Sequence, residues 1–472
     1  MSSQIAVGLP LGSSHSTFIR SWSTLQPIHS GSAHSSVANT ASAASSTHLS
    51  RVFSSSAAGV GTQPDSTPGR VEEVFVEHSA VPAGPITVEE PWEQVDYDGI
   101  DSDRNDEDVQ NIPDYVLRYA PLVHLFSGEQ YWPSNIAEHL QHVTPTFNYT
   151  PIQQITQRPS LTNLDRYNEF DHARWVFLTS KDDPETYPDW LGSQKNIPRL
   201  AEETSRTYMH SLRVALAKLT ALTGNSPASS QVQDSSIKGG RSSAPAILIT
   251  VEKPGGIVDA FWFYFYSFNE GNSVFNIRFG NHIGDWEHSC IRFHHGKPQA
   301  VYYSEHSFGS AYSYKAVEKY GERPVVYSAV GTHANYATAG GHPYVLPWGI
   351  LHDQTDKGPL WDPALNAHTY TYNYTSRTIS ASTLTPDAPT QWFDFAGHWG
   401  DRTYPMDDKR QYKLFGQYHY VTGPLGPKFK NLGRRKVCGG PDAKPCVIRR
   451  WLRQEENFGT VWPSDDRLDG ET

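Results

Sequence analysis

The second half of the chain is dominated by short runs of aromatic and β-branched residues, separated by glycine, proline and asparagine. Beyond Ala246, these runs read AILITVEKP, IVDAFWFYFYSF, HSCIRFHH, QAVYYSEH, RPVVYSAV and HTYTYNYT. Such residues favour strands, and the frequent turn residues leave no room for the helices of parallel β-α-β units. The sequence therefore predicts a mainly β fold, with a β-sandwich-type single domain.

Residues 109–455 are predicted to form this domain, followed by a tail at 456–472. Within it, residues 199–223 show helical spacing at Leu212, Leu216 and Leu219, and a loop rich in glycine and serine follows. We interpret residues 199–245 as one helical insertion in the β domain.

The net charge of −11 is concentrated in front of this domain. Residues 71–108 carry thirteen acidic residues against one arginine, whereas residues 1–70 sum to +2 and residues 109–472 to −1. We interpret residues 71–108 as a solvated acidic linker. Residues 422–453 carry nine lysines or arginines, which could attract an anionic membrane surface but more simply neutralise the acidic linker. Because the domain is nearly neutral, nucleic acid is not an expected partner.

Residues 1–70 form a leader of low complexity that is predicted to be disordered. Its first 56 residues contain eighteen serines and neither an acidic residue nor a lysine, so they cannot bury enough apolar surface to fold alone. A disordered tail or a mitochondrial presequence fits this composition better than a secretory signal, because the start lacks basic residues and a long apolar core. No stretch has eighteen uninterrupted apolar residues, which excludes a transmembrane segment of helical type.

The densest group of possible metal ligands lies in the segment NHIGDWEH, residues 281–288. Asp285 and Glu287 are two positions apart, so on a strand their side chains point to the same face. Two carboxylates held together repel each other unless a cation neutralises them, and His282 could supply a third ligand. Oxygen ligands with one imidazole suit a divalent cation such as calcium, magnesium or manganese. The alternative is an ordinary solvated strand face.

Further histidines lie at the ends of predicted strands, namely His306, His333, His352 (directly before Asp353) and His398. Most histidines in such places are hydrogen-bonded structural residues. A metal-dependent hydrolase could still use Glu287, His333 and His398, with the cation lowering the pKa of a bound water. The sequence contains no nucleophile elbow, Walker loop, zinc-protease helix or dinucleotide fingerprint. We therefore expect a non-enzymatic protein and keep the hydrolase as an alternative.

Four motifs occur in a specific order, namely YAPLVHLFSGEQYWPS, GDWEH, PVVYSAVGTHANYA and FAGHWGD. In this order they resemble the fungal vacuolar protein sorting-associated protein 62 family, over about Asp114 to Val421. The resemblance implies a role in protein targeting to the vacuole, and a vacuolar or endomembrane location. A mitochondrial or secreted location remains the alternative that the leader leaves open.

The Asp-Trp-Glu-His core is also similar, more faintly, to the signature of necrosis- and ethylene-inducing-like proteins, which are secreted cytolysins with a β-sandwich. The positions matching their cation ligands, and the histidine beside these, are His282, Asp285, Glu287 and His333. Asn269 or Glu270 would replace a further aspartate of that family, and Gly284 stands where it has a second histidine. This similarity implies a membrane lipid head group or a glycan as partner, and cytolysin-like membrane binding as an alternative function.

The cysteines and two glycosylation sequons bear on the cellular compartment. Cys438 and Cys446 could close a small loop if the compartment is oxidising, whereas Cys290, in a strand, is expected to be a buried apolar residue. Asn148-Tyr-Thr and Asn373-Tyr-Thr are sequons for N-glycosylation, which matter only if the chain enters the secretory route.

Overall fold

The structure, a computed structural model, describes residues 111–170, 172–200, 238–345, 351–442 and 444–452. The predicted leader, acidic linker and tail lie outside the described residues, as does most of the predicted helical insertion. The boundaries 1–70, 71–108, 109–455 and 456–472 therefore stay predictions.

Strands account for most of the regular structure in the described part of the chain. In chain order they are β1 (Leu122–His124), β2 (Val143–Phe147), β3 (Thr150–Pro151), β4 (Val176–Ser180), β5 (Ala246–Lys253), β6 (Ile257–Asn269), β7 (Ser273–Val274), β8 (Ile277–Arg278), β9 (His282–His294), β10 (Lys297–Glu305), β11 (Phe308–Ser313), β12 (Lys319–Tyr320), β13 (Arg323–Ser328), β14 (Asn335–Tyr336), β15 (Gly340–Val345), β16 (Leu351–Thr355), β17 (Leu360–Trp361), β18 (Ala367–Asn373), β19 (Thr378–Ala381), β20 (Lys413–Leu414), β21 (Gln417–Tyr418) and β22 (Ile448–Arg449).

The described helices are short. The α-helices are α1 (Asp114–Arg118), α2 (Ile136–His139) and α3 (Asp189–Gly192). Short 3-10 helices occur at Leu164–Glu169, Ala173–Trp175, Pro184–Thr186, Gln194–Asn196, Pro363–Leu365, Gln391–Asp394 and Pro427–Phe429. None of the helices in the described ranges is long and apolar enough to cross a membrane.

The largest sheet has eight strands in the order β19-β18-β5-β6-β9-β10-β11-β22. Its centre is the antiparallel pair of β6 and β9, whose register runs from Ile257 opposite His294 to Asn269 opposite His282. Every residue of β6 is buried, because both faces of the sheet are covered. This double coverage explains why β6 is an unbroken aromatic run and lacks the alternation of a half-exposed strand.

A second sheet, in the order β12-β13-β1-β17 with β14 paired to β13, covers one face of the first. We call this side the sandwich face. The side chains that fill it include Val123, Val326 and Trp361 from the smaller sheet and Leu248, Trp262 and Tyr264 from the larger. The prediction of a mainly β, sandwich-type domain is confirmed.

The segment around Pro121 forms a strand, but not the edge strand that its proline suggests. β1 lies inside the smaller sheet, parallel to β13 and antiparallel to β17. Pro121 immediately precedes β1, so its missing N–H removes no hydrogen bond from the ladder. Pro121 therefore does not mark an edge strand, because β1 lies between β13 and β17.

The other face of the eight-stranded sheet, which we call the tryptophan face, is covered by irregular segments. Trp286 of β9 packs there against Trp392, at 5.8 Å between ring centroids, and against Trp399, at 5.4 Å. Such aromatic pairs contribute about 0.5–1.5 kcal/mol beyond their area burial. This packing fixes the start of β9, where the predicted ligands lie.

Candidate functional site

The predicted ligand segment forms the first part of β9. Asp285 and Glu287 flank Trp286, whose ring points to the tryptophan face, so both carboxyl groups project towards the sandwich face. Their exposed fractions are only 5% and 4%. The two side chains share a face of the strand, as their spacing predicts. That face is buried, so the alternative of a solvated strand face is wrong for these two residues.

Gly284 shapes the start of this segment. Its φ of +68° is a backbone conformation that residues with a side chain rarely adopt, and an added Cβ would lie 2.1 Å from the carbonyl oxygen of Trp399. The carbonyl of Gly284 accepts a hydrogen bond of 2.6 Å from Nδ1 of His282. Burial lowers the pKa of His282 and keeps the ring neutral, so the proton on Nδ1 leaves the lone pair on Nε2. This tautomer presents Nε2 as a possible metal ligand.

His333 contacts Asp285 directly from the turn between β13 and β14. Its Nδ1 lies 3.0 Å from Oδ2 of Asp285, and its Nε2 lies 3.0 Å from the carbonyl oxygen of Tyr131. Both partners only accept hydrogen bonds, so both ring nitrogens carry protons and the ring is an imidazolium. Burial alone would lower the pKa of His333, but the bond to Asp285 and the charge of Glu129 raise it. The ring stacks on Tyr266 at 3.6 Å.

Glu287 has no cationic partner of this kind. The hydroxyl of Ser304 donates a hydrogen bond to its carboxyl group, and the same hydroxyl accepts one from the backbone N–H of His288. Burial, and then the nearby charge of Asp285, raise the pKa of Glu287 well above its usual range. Glu287 therefore keeps its proton to a higher pH than an exposed glutamate does.

Asp353 of β16 is a further buried acid that the ligand prediction did not include. Its donors are Thr332, Tyr336, Asn272 and His306. Burial would raise the pKa of Asp353, but the bond from His306 lowers it, and the pKa of His306 rises in return. The position of His306 directly after β10 was the signal in the sequence that could have pointed to this pair.

Glu129 completes a group that we call the acid–imidazole cluster. Its carboxyl group accepts hydrogen bonds from the backbone N–H groups of Tyr131 and Gly331, and lies 3.9 Å from Nε2 of His333. The cluster consists of Glu129, Asp285, Glu287 and Asp353 with His282, His306 and His333. Its four acids are at most 5% exposed, and two of its imidazoles have raised pKa values, so acids outnumber cations.

The remaining predicted residues lie at the rim of the cluster or away from it. Nδ2 of Asn269 donates to the carbonyl of Gly280, and Glu270 forms an ion pair of 3.0 Å with Arg278. Glu270 lines two surface clefts of about 840 and 260 Å³. His398, by contrast, stacks on Phe177 and bonds through Nδ1 to a backbone carbonyl.

The structure thus brings His282, Asp285, Glu287 and His333 together, and it gives His398 different neighbours. Within the described ranges, no three or more His, Cys, Asp or Glu side chains are arranged to hold one metal ion as they stand. The cation, like the role of each residue towards it, stays a prediction.

Comparison with known proteins identifies the relatives of this chain. A family model described as vacuolar protein sorting-associated protein 62 matches residues 227–414. A Saccharomyces cerevisiae protein named "Putative vacuolar protein sorting-associated protein TDA6" is 37% identical, over 74% of this chain and 74% of its own length. Vacuolar protein sorting-associated protein 62 of the same organism is 33% identical, over 74% of this chain and 73% of its own. No solved structure matches. With relatives at this identity and coverage, the chain belongs to the vacuolar protein sorting-associated protein 62 family.

Proposed function

We propose that this protein acts in the sorting of proteins to the vacuole as a non-enzymatic protein. Its acid–imidazole cluster would bind one divalent cation and, through that cation, a membrane lipid head group or a glycan. The names of the two yeast relatives support the sorting role. The chemistry of the cluster supports the cation.

The excess of buried acid over buried cation is the observation that carries the proposal. In a medium of low dielectric constant, each uncompensated carboxylate is costly, and burial beside Asp285 accordingly raises the pKa of Glu287. A divalent cation would allow Glu287 to ionise beside Asp285. His282 already presents Nε2, and the carbonyl of Gly284 holds its ring in position. Carboxyl oxygens with one imidazole suit calcium, magnesium or manganese.

The larger cleft beside the cluster offers a place for a polar ligand. Its wall includes Tyr131, whose carbonyl bonds to His333, together with Tyr187, Trp190 and Glu270. Aromatic rings beside carboxyl and amide groups provide both stacking surface and hydrogen bonds for a polar head group or a sugar. A ligand in this cleft would reach the cluster past Glu270.

A thermal-shift measurement on the full-length chain tests the cation. The melting temperature is compared in chelator and in millimolar calcium, magnesium or manganese. A cation bound only by the folded state stabilises it by about 2.7 kcal/mol at a hundredfold excess over Kd, which corresponds to an increase of several degrees. Asp285→Asn should remove most of the increase, whereas Glu322→Gln, in an exposed ion pair with Arg118, should keep it. Equal melting in all four solutions would refute cation binding.

Activity assays test the non-enzymatic part of the proposal. Ester and phosphate substrates are incubated with the full-length chain and each cation, with Glu287→Gln as the comparison. We expect no turnover. Turnover that Glu287→Gln abolishes would replace the proposal with a metal-dependent hydrolase, and cation-dependent leakage of lipid vesicles would replace it with a cytolysin-like activity.

A cellular assay tests the sorting role. The chain is expressed in yeast cells that lack both relatives, and the secreted fraction of a soluble vacuolar hydrolase is measured. We expect this chain to reduce the secreted fraction, and Asp285→Asn at equal abundance to do so less. An unchanged secreted fraction with the chain present would contradict the sorting role.

A further inference from the structure

The cysteines of this chain are either paired or inaccessible. Cys438 and Cys446 form a disulfide, and the one other cysteine of the sequence, Cys290, is buried within β9. Burial raises the pKa of the Cys290 thiol to about 12, so this residue is unreactive towards oxidants and other thiols. Among the cysteines there is thus one disulfide and no exposed thiol, a pattern typical of proteins that mature in an oxidising compartment.

The disulfide holds a segment that covers one edge of the eight-stranded sheet. Two residues after Cys446 the chain forms β22, which pairs in parallel with β11. Arg449 of β22 donates a hydrogen bond of 2.9 Å to the hydroxyl of Tyr312 on that strand. Both cysteines pack against the core of the tryptophan face. The bond therefore fixes a short strand over an edge that would otherwise have unpaired backbone groups.

The sequon at Asn373 lies in an exposed turn. Asn373 is the last residue of β18, and the turn that follows leads into β19. Its Oδ1 accepts hydrogen bonds from the backbone N–H groups of Thr375 and Ser376, at 3.0 and 3.1 Å. These bonds leave Nδ2, the atom to which a glycan is attached, outside the turn network. Because Asn373 is exposed, a bulky hydrated sugar can extend from it without disturbing the sheet.

The sequon at Asn148 lies in a second exposed turn. Asn148 and Tyr149 connect β2 to β3, and Asn148 has a φ of 56°, which is common for asparagine in tight turns. Its Oδ1 accepts a hydrogen bond of 2.8 Å from Arg402, which again involves the oxygen and not Nδ2. Both asparagines are exposed and both belong to hairpin turns.

From these features we propose that the β domain matures in an oxidising, lumenal compartment and carries N-linked glycans at Asn373 and Asn148. The disulfide and the two exposed sequons are separate observations, and disulfide formation and N-linked glycosylation both take place in such a compartment. The inference goes beyond the proposed function and does not depend on the cation. If it is correct, the cluster faces the lumenal leaflet or lumenal glycans.

The glycan test uses the full-length chain, tagged and expressed in yeast, with and without treatment by an endoglycosidase that removes N-linked glycans. We expect the treatment to increase gel mobility. Thr375→Ala should remove one of two mobility steps, and Thr375→Ser should keep both, because serine preserves the sequon. Thr150→Ala and Thr150→Ser form the same pair for Asn148. These variants keep both asparagines, so a folding defect is not expected to confuse the result.

Each outcome of this test is decisive. Two steps, each lost with its own threonine, support both sites. If only one of the two alanine variants alters the gel mobility, the sequon of the other variant carries no glycan, and that site is overturned. Mobility that the endoglycosidase leaves unchanged overturns the glycan proposal.

A thiol count tests the compartment independently. Cells are quenched in acid, and the denatured chain is labelled with a maleimide reagent before and after reduction. We expect one labelled thiol before reduction and three after it. Three labelled thiols before reduction would mean that Cys438 and Cys446 are free in the cell, and would overturn the oxidising compartment.

Discussion

The two faces of the eight-stranded sheet each contain a buried charged cluster, and the two clusters differ in balance. On the tryptophan face, Asp259 of β6 receives two hydrogen bonds of 2.7 Å from Arg292 and one of 2.5 Å from Lys253. Burial would raise the pKa of Asp259, but these two cations lower it. Their remaining N–H groups bond to the backbone carbonyls of Arg434 and Arg435.

On the sandwich face the proportions are reversed, because acids outnumber cations in the acid–imidazole cluster. There the pKa of Glu287 rises, whereas on the tryptophan face the pKa of Asp259 falls. The comparison teaches that a buried carboxylate with enough cationic partners is complete as a structural element. A group with surplus acid gains from an added positive charge, which is what a binding site for a cation requires.

The largest effect is expected from removing the carboxylate of Asp259 on the tryptophan face. Asp259→Asn would leave Lys253 and Arg292 buried without their counter-ion, and Lys253 has a side chain with no exposed surface. Removing one partner of a buried ion pair costs about 3–5 kcal/mol. Urea unfolding of the full-length chain should show this loss in the free energy of unfolding. A loss below about 1 kcal/mol would mean that the cluster is not a structural element.

Asp401 is a buried carboxylate outside both clusters, and its hydrogen-bond donors are uncharged. Asp401 accepts hydrogen bonds from the backbone N–H of Ser180 and from the hydroxyl of Tyr404, and burial raises its pKa to about 6. The folded state therefore binds this proton more tightly than the unfolded state. The contribution of Asp401 to stability is largest below pH 4 and is lost as the pH rises through 6.

When the pH is lowered from 7 to 5, the free energy of unfolding of the wild-type chain should rise by about 1 kcal/mol relative to that of Asp401→Asn, whose side chain does not titrate. Urea unfolding of both chains at the two pH values gives the difference. A difference of the opposite sign, with Asn favoured at pH 5, would contradict the assignment of Asp401 as an acid protonated by burial.

The smallest effect is expected at the surface, where water and salt screen charges. Arg118 and Glu322 form a bidentate pair, and their side chains are 58% and 47% exposed. Glu322→Gln should change the free energy of unfolding by at most about 1 kcal/mol, and by less in high salt. If Glu322→Gln lowered the free energy of unfolding as much as Asp259→Asn does, burial would not explain the difference in strength between the two ion pairs.

The sequence predicted the strands and the shared face of Asp285 and Glu287 because both follow from local patterns. The aromatic runs match β5, β6, β9, β10, β13 and β18. The partners of these acids could not be predicted in the same way. His333 is 48 residues from Asp285, and Glu129 is 202 residues from Gly331. Only the packing of the smaller sheet on the larger one brings them together.

The same reason explains why the contacts of other residues could not be predicted from local patterns. Asp353 lies in none of the sequence motifs, and its four hydrogen-bond donors come from separate turns and strands. Asn269, which the cytolysin similarity matches to a cation ligand, donates through Nδ2 to the loop carbonyl of Gly280. His398 resembles His333 in its strand-end position, yet it packs against Phe177.

The central claim is that the surplus of acid on the sandwich face binds a cation. Isothermal titration of manganese into the full-length, chelator-treated chain tests it most directly, with Asp285→Asn and Glu322→Gln titrated in parallel. We expect one manganese ion per chain for the wild type and for Glu322→Gln, and at least a tenfold weaker affinity for Asp285→Asn, which corresponds to about 1.4 kcal/mol. No saturable binding, or equal binding by all three chains, would contradict it.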